Sequence, residues 1–274
     1  MVDQILLDLS QKILDLDHQK TRGLCKLKIE EFTMGLLSIL FPQRGLKQEI
    51  GLKELCGLLE EKRIILREML EYLKIDNADK LTDRFFQFLP LLKEKLKEDA
   101  RFIFKEDPAA NCLEEVILCY PGFLALGVYR LANFFFHSGV SLLPRVMTEL
   151  AHEKTGIDIH PGAELGCPLF IDHGTGIVIG ETSKVGNYTK IYQGVTLGAL
   201  SVHKDEKDKA RHPTIEEHCI IYSNSTILGG KTIVGHHSTI GGNVWLTESI
   251  PPYSLIFHDR GKLKRRLKNY NENI

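Results

Sequence analysis

No stretch of this sequence holds the roughly 18 uninterrupted apolar residues that a membrane-crossing helix needs, so no membrane span is expected. Nor is one sign of charge in excess. Lysine and arginine number 35 against 36 aspartates and glutamates, a formal net charge of −1. That balance removes the electrostatic footprint of a nucleic-acid or polyanion partner. The six cysteines (Cys25, Cys56, Cys112, Cys119, Cys167, Cys219) never form a CxxC pair, which speaks for reduced, mostly structural thiols in a cytosolic protein. The opening Met1-Val2-Asp3-Gln4 lacks the basic patch and apolar core of an export signal, so a cytoplasmic location is expected. What remains is an ordinary globular composition, 43% hydrophobic and 26% charged, in 274 residues that suffice for two domains with separate cores.

Against that plain background the chain changes period once. From about residue 157 to 246 apolar residues fall on a beat of six: Ile159, Leu165, Ile171; then Ile179, Val185, Ile191, Leu197; then Ile215, Ile221, Ile227; then Val234, Ile240, Leu246. Glycine often follows, as at Gly166, Gly180, Gly186 and Gly241. A helix repeats at 3.6 and an exposed strand at 2, so neither alone produces such a beat. A three-sided coil does, with one inward apolar residue per short strand and a small residue at each corner. The spacing predicts a parallel β-helix of about 18 residues per coil.

Upstream the pattern is helical. Ile5, Leu6, Leu9, Ile13 and Leu14 recur at helical spacing over 3–20, and Leu52, Leu55, Leu58, Leu59, Ile65, Leu66 and Leu70 over 51–73. A third helix is expected over 81–89 and 91–104, broken at Pro90. Asp107-Pro108-Ala109-Ala110 has the form of a helix start, with Asp107 as cap. Further helices are expected from Phe123 to His137 and over about 143–153. The division is therefore a helical assembly domain at 1–154, a coil domain at 155–250 and a tail at 251–274.

Chemistry is expected where the coil is irregular, because a regular solenoid has no built-in pocket. Around Asp172-His173-Gly174-Thr175-Gly176 the register slips by two residues, and at 199–211 a charged excursion leaves the coil. Beside these breaks lie Asp158 and His160, Asp172 and His173, and Arg211 and His212. Asp158 and His173 are 15 residues apart, three short of a coil, so adjacent coils can bring them close. A carboxylate-oriented imidazole is a general base suited to an alcohol, which is a poor nucleophile until its proton is accepted. Arg211 suits a carboxylate, and Asp172 with Asp107 an ammonium. Together they complement an amino acid bearing a hydroxyl. Two other readings stay open: a three-histidine zinc site among His160, His173, His212, His236 and His237, and a non-catalytic scaffold.

The block Asp158-Ile159-His160-Pro161, with 172–182 (Asp172-His173-Gly174-Thr175-Gly176 at its head), 193–198 and Arg211-His212-Pro213, resembles serine O-acetyltransferase. So do Asp107-Pro108-Ala109 and 121–126. The resemblance covers about 105–250. It implies a left-handed β-helix behind an all-helical domain, three subunits with coils side by side, and two such trimers meeting through their helical domains. The implied reaction moves acetyl from acetyl-CoA to L-serine for cysteine synthesis, without a metal; homoserine or another small hydroxy compound is the alternative acceptor. It implies His173 as general base, Asp158 as its orienting partner, Asp107 and Asp172 as ligands of the serine amino and hydroxyl end, and Arg211 with His212 as the carboxylate-facing pair from across a subunit boundary. CoA would run beside Gly194, Gly198, Ala199 and Ser223. Three stretches depart from the family: Gly198-Ala199 replaces Gly-Gly, Ile221-Tyr222-Ser223-Asn224 replaces Ile-Gly-Ala-Gly, and Ile256 to Lys262 replaces Ala-Gly-x-Pro-Ala-Arg. The family also implies inhibition by cysteine, and insertion of a C-terminal isoleucine, here Ile274, into O-acetylserine sulfhydrylase.

Overall fold

A computed structural model describes residues 4–16, 24–46, 50–200 and 210–258. The sequence-based expectations for Val202 to Lys209, for the basic run from Arg260 and for Ile274 lie outside the described residues. Helices come first: α1 (Gln4–Leu16), α2 (Lys26–Leu40), α3 (Leu52–Tyr72), α4 (Ala78–Glu106), α5 (Leu113–Cys119), α6 (Pro121–His137) and α7 (Leu143–Thr155). The stretch that forms α2 carries a helical signal that the sequence reading passed over, since Ile29, Phe32, Leu36, Leu37 and Leu40 all point into the core. No single helix among the described residues is long and apolar enough to cross a membrane.

Two helix boundaries differ from expectation. α4 runs unbroken through Pro90. That proline is on the exposed side, so the backbone bond it cannot donate is lost where water can substitute, while Leu89, Leu92 and Leu96 hold the inner face. Asp107 does not open a helix; it is the C-cap of α4, with its N–H on the Ile103 carbonyl at 2.9 Å. The next helix waits until Leu113.

The coils follow. The first contributes β1 (Asp158–Ile159), β2 (Glu164–Leu165) and β3 (Leu169–Asp172); the second β4 (Val178–Ile179), β5 (Lys184–Val185) and β6 (Thr189–Tyr192); then comes β7 (Thr196–Gly198). Beyond the 199–211 excursion lie β8 (Thr214–Ile215), β9 (Ile220–Ile221), β10 (Thr226–Leu228), β11 (Ile233–Val234), β12 (Thr239–Ile240), β13 (Trp245–Leu246) and β14 (Leu255–Ile256). Strands pair in parallel into three faces: face one is β1-β4-β7-β10-β13, face two is β2-β5-β8-β11 and face three is β3-β6-β9-β12-β14. The expected α+β architecture, helices and then a parallel β-helix, is the one observed.

Every inward residue of the six-residue beat packs in one ladder core, from Ile159 through Ile240, with Leu165 and Leu246 partly buried at its margins. Coil length varies around the expected value. Asp158 pairs with Val178, 20 residues on, and Val178 with Thr196, 18 on. Thr196 then pairs with Thr226, 30 on, because the excursion intervenes. The corner between faces two and three carries a stacked column, Tyr188, His218, His237 and Tyr253, with ring centroids 4.8, 4.6 and 5.1 Å apart. All four have φ between 57° and 61°, so the same left-handed corner recurs in the coils after the first.

One polar knot joins helices to coil. Arg130 on α6 makes two 2.8 Å bonds to the Asp99 carboxylate on α4, and its Nη2 also donates to the Gly166 carbonyl at 2.8 Å. Asp99 Oδ1 accepts from the Leu169 N–H at 2.9 Å. Arg130 is 6% exposed and Asp99 fully buried. Next to it α6 starts against β3 so closely that a Cβ on Gly122 would lie 2.2 Å from the Ile171 carbonyl oxygen. Removing one partner of a buried pair strands the other, at a cost of about 3–5 kcal/mol. Arg130→Ala and Asp99→Ala should each lower stability by that order in denaturant unfolding, and Gly122→Ala should also destabilise; unchanged midpoints would contradict this account of the junction.

Candidate active site

The chemistry-bearing residues lie on the two edges of face one. At the edge leading from face three, β3 ends in Asp172 and the chain turns through His173, which has φ of +55°, a costly conformation for a residue with a Cβ. The turn is closed by the Gly174 N–H on the Asp172 carbonyl at 2.6 Å and tied to the end of α7 by the Gly176 N–H on the Gly156 carbonyl at 2.8 Å. His173 thereby stands out from the coil, its side chain 70% exposed, with Nε2 at 3.7 Å from the Asp172 carboxylate.

Asp107 reaches the same edge from the end of α4. Its Oδ1 accepts from the Ala109 N–H at 2.8 Å and its Oδ2 from the Tyr120 hydroxyl at 2.5 Å. Burial lifts the Asp172 carboxyl above its usual range; the His173 imidazole pulls it down and the Asp107 charge pushes it up. Tyr192, paired with Asp172 in register, stacks on Tyr222 with centroids 5.1 Å apart. Burial and then the neighbouring Tyr222 and acidic groups raise the Tyr192 phenol. Gly194 and Ser223 lie at this edge too. Gly194 has φ of +72°, and a Cβ there would meet Asn224 Oδ1 at 2.1 Å.

Asp158 opens β1, on the strand next to Val178. Its carboxylate is 3.9 Å from the Arg145 guanidinium on α7. Among the described residues no hydrogen bond or ion pair joins Asp158 to His173; the carboxylate beside His173 is that of Asp172. Donor atoms of Glu149, His152 and Asp158 lie within 4.8 Å of one another, the one such grouping among the described residues. Arg145, paired with both Glu149 and Asp158, is already the cation of that group. The five histidines weighed for zinc are not gathered.

The opposite edge, leading to face two, holds Arg211 and His212 with Gly198 and Ala199. Thr182 organises it. Its hydroxyl oxygen accepts from the N–H groups of Arg211 at 2.9 Å and His212 at 3.1 Å. Its own N–H donates to His212 Nδ1 at 3.1 Å, so that nitrogen is an acceptor and the neutral ring carries its proton on Nε2. The ring packs where a Cβ on Gly180 would be, 2.1 Å from Nε2. Burial, followed by the Arg211 charge, pulls His212 down to about 4. Arg211 pairs with the Glu181 carboxylate. Burial also lowers His160, against the pull of Glu181.

The structure thus gathers His173, Asp172, Asp107, Gly194 and Ser223 on one edge, and Arg211, His212, Gly198 and Ala199 on the other. Face one separates them: from Gly194 to Ala199 is about 16 Å at the usual strand rise. Sequence reasoning missed Tyr120 and Tyr192 on the first edge and Glu181 and Thr182 on the second as site residues. For the second pair the signal was available, since one coil length links them to the 211–212 position once the excursion is discounted.

Comparison with known proteins gives a consistent neighbourhood. No protein-family model matches the chain. A plasmid serine acetyltransferase of Synechococcus elongatus is 50% identical over 185 residues, 66% of this chain and 58% of its own length. The serine acetyltransferase of Bacillus subtilis is 39% identical over 168 residues, 61% of this chain and 75% of its own. The crystal structure of Entamoeba histolytica serine acetyltransferase 1 in complex with L-cysteine has a TM-score of 0.75 at 34% identity, with 82% of this chain and 86% of that one covered. The chain spans 53–62% of the length of three cyanobacterial relatives that it matches.

The buried, neutral His212 imidazole couples stability to pH through its lowered pKa. Its folded value lies below the unfolded value of about 6.5, so its contribution to stability is complete above that pH and is lost as pH falls toward the folded value of about 4. Unfolding free energy should decline across that window, and His212→Asn should flatten the decline; equal pH profiles for both proteins would count against the buried neutral imidazole.

Proposed function

We propose that this chain, which belongs to the serine acetyltransferase family, transfers the acetyl group of acetyl-CoA to the hydroxyl of L-serine, giving O-acetyl-L-serine and CoA. The observation that carries the reading is the exposed His173 imidazole on its left-handed corner, beside the Asp172 carboxylate, which the Asp107 charge reaches in turn. His173 accepts the serine hydroxyl proton as the oxygen attacks the thioester carbonyl. The tetrahedral oxyanion is held by backbone N–H groups near Gly198 and Ala199. Collapse breaks the carbon–sulfur bond, and the proton on His173 passes to the departing thiolate. Asp158 supports the imidazolium that forms; its approach to His173 requires that it loosen from Arg145.

Asp107 and Asp172 receive the serine ammonium. Burial raises Asp172 first and the neighbouring Asp107 charge adds to it against the pull of His173; a bound ammonium offsets the repulsion between the two carboxylates. Arg211 and the Nε2–H of His212 face the serine carboxylate, Arg211 keeping Glu181 with part of its five-donor fork. CoA lies along Gly194, Ser223, Gly198 and Ala199. The departure at Tyr222 falls in this groove and alters how CoA is gripped; the reaction needs no metal.

Because the two edges cannot meet within one chain, the site forms between copies: the His173 edge of one subunit faces the Arg211 edge of the next. Three such contacts close a ring with face one toward its axis, and the helical domains join two rings.

Thiol release with L-serine, L-homoserine and a sugar tests the acceptor, and serine is expected to be preferred. His173→Ala should keep the fold and lose about 10²–10⁴-fold in kcat, and Asp158→Asn less. Near-normal thiol release by His173→Ala would sink the assignment. The shared site has its own test. Unfolding and refolding an equal mixture of inactive His173→Ala and Arg211→Ala chains should recover activity at about one site in four, since one neighbour then supplies each missing group. Recovery of none would show that each site is built from a single chain.

A further inference from the structure

Asp107 is placed with unusual care for a residue at the end of a helix. Each carboxylate oxygen already has one donor: Oδ1 has the Ala109 N–H at 2.8 Å and Oδ2 the Tyr120 hydroxyl at 2.5 Å. The first bond is local and follows from the turn. The second crosses 13 residues and comes from a side chain on the junction between α5 and α6. That junction is fixed in turn. Tyr120 immediately precedes the start of α6, where Gly122 packs against the Ile171 carbonyl with no room for a Cβ. Ile171 is followed by Asp172, the last residue of β3. The phenol therefore links the Asp107 carboxylate to a point of the backbone locked against the strand that delivers Asp172.

The surroundings give that link a purpose. Burial first, and then the charges of Asp107, Glu115 and Asp172, hold the Tyr120 hydroxyl protonated, well above the ordinary tyrosine range, so it remains a donor at every working pH. Lys190, on the strand paired with β3, is held by Glu106. The Asp107 and Asp172 carboxylates both lie near the Tyr120 hydroxyl, close enough for the charge of Asp107 to act on Asp172. Each oxygen of Asp107 keeps a lone pair beyond the one its donor occupies, and their direction is set by the phenol.

We propose that Tyr120 is a positioning residue that aims Asp107 at the ammonium of the amino-acid acceptor and so selects acceptors carrying an amine. The inference rests on the reading that Asp107 receives that ammonium. It makes no claim on the proton transfer at His173, so its effect belongs in acceptor binding rather than in turnover.

The experiment compares the intact wild-type enzyme with Tyr120→Phe, which removes one oxygen and keeps the ring. KM for L-serine should rise about tenfold, the value of a hydrogen bond to a charged group, with kcat within about twofold. The inhibition constant of 3-hydroxypropionate, which keeps the hydroxyl and carboxylate and lacks the ammonium, should be the same for both proteins. In an Asp107→Asn background the tyrosine substitution should add nothing. A wild-type serine KM for Tyr120→Phe, or equal losses for serine and 3-hydroxypropionate, overturns the proposal while Asp107→Asn still raises the serine KM. If Asp107→Asn leaves the serine KM unchanged, the reading of Asp107 falls and the proposal falls with it. Matching thermal midpoints exclude misfolding as the source of any difference.

Discussion

The bidentate pair between Arg130 and Asp99 governs how the two halves of this protein meet. Two charges removed from water are tolerable only when their hydrogen-bonding capacity is used, and here the surplus is spent across the junction, on the Gly166 carbonyl and the Leu169 N–H. The pair therefore acts as a bracket with two arms in the helices and two in the first coil. Its consequence reaches the site. Asp99 and Asp107 are on one helix, and Arg130 is on the helix that Tyr120 precedes. Fixing α4 and α6 against β3 fixes where Asp107 stands relative to Asp172.

On the coil side the constraint is different. A parallel β-helix stacks equivalent positions at about 4.8 Å, so a chemical group can be added only where the stack is interrupted. The longer first coil supplies one such place, pushing His173 out at the corner, and the 199–211 excursion supplies the other. These fall on opposite edges of one face. That separation keeps the two groups of candidate site residues apart within one chain, which is the ground for the proposal that copies share a site.

The coil was legible because its signal is periodic and redundant. Ile159 through Ile240 each repeat the same statement, and the core contains them with Leu165 at its margin. The helical half was less so. α2 falls outside the sequence-based expectations although its apolar residues are well spaced, and Pro90 signals a break because a sequence does not say which side of a helix faces water. Asp107 shows the limit most clearly. Aspartate before proline and two alanines has the local signature of a helix start, yet the chain uses it to end one helix and hold a turn. The residue was marked as a substrate ligand, but its partner Tyr120, 13 positions away, had no signature at all, because that contact exists only after α6 docks on β3. Likewise the pairing of Asp158 with Arg145 depends on how α7 approaches the first strand, which spacing along the chain cannot express.

The excursion has a further consequence. Strands on either side of it pair in the same register as strands joined by a plain corner: Thr196 and Leu197 meet Thr226 and Ile227 as Val178 and Ile179 meet Thr196 and Leu197. The sheet therefore carries no record of how many residues were inserted between its rungs. Length and composition at that corner can drift without any strand shifting, whereas a single added residue within a rung would turn a whole ladder inside out. The fold therefore has one position where a change of length is nearly free, and it adjoins Arg211 and His212 rather than the ladder of buried isoleucines.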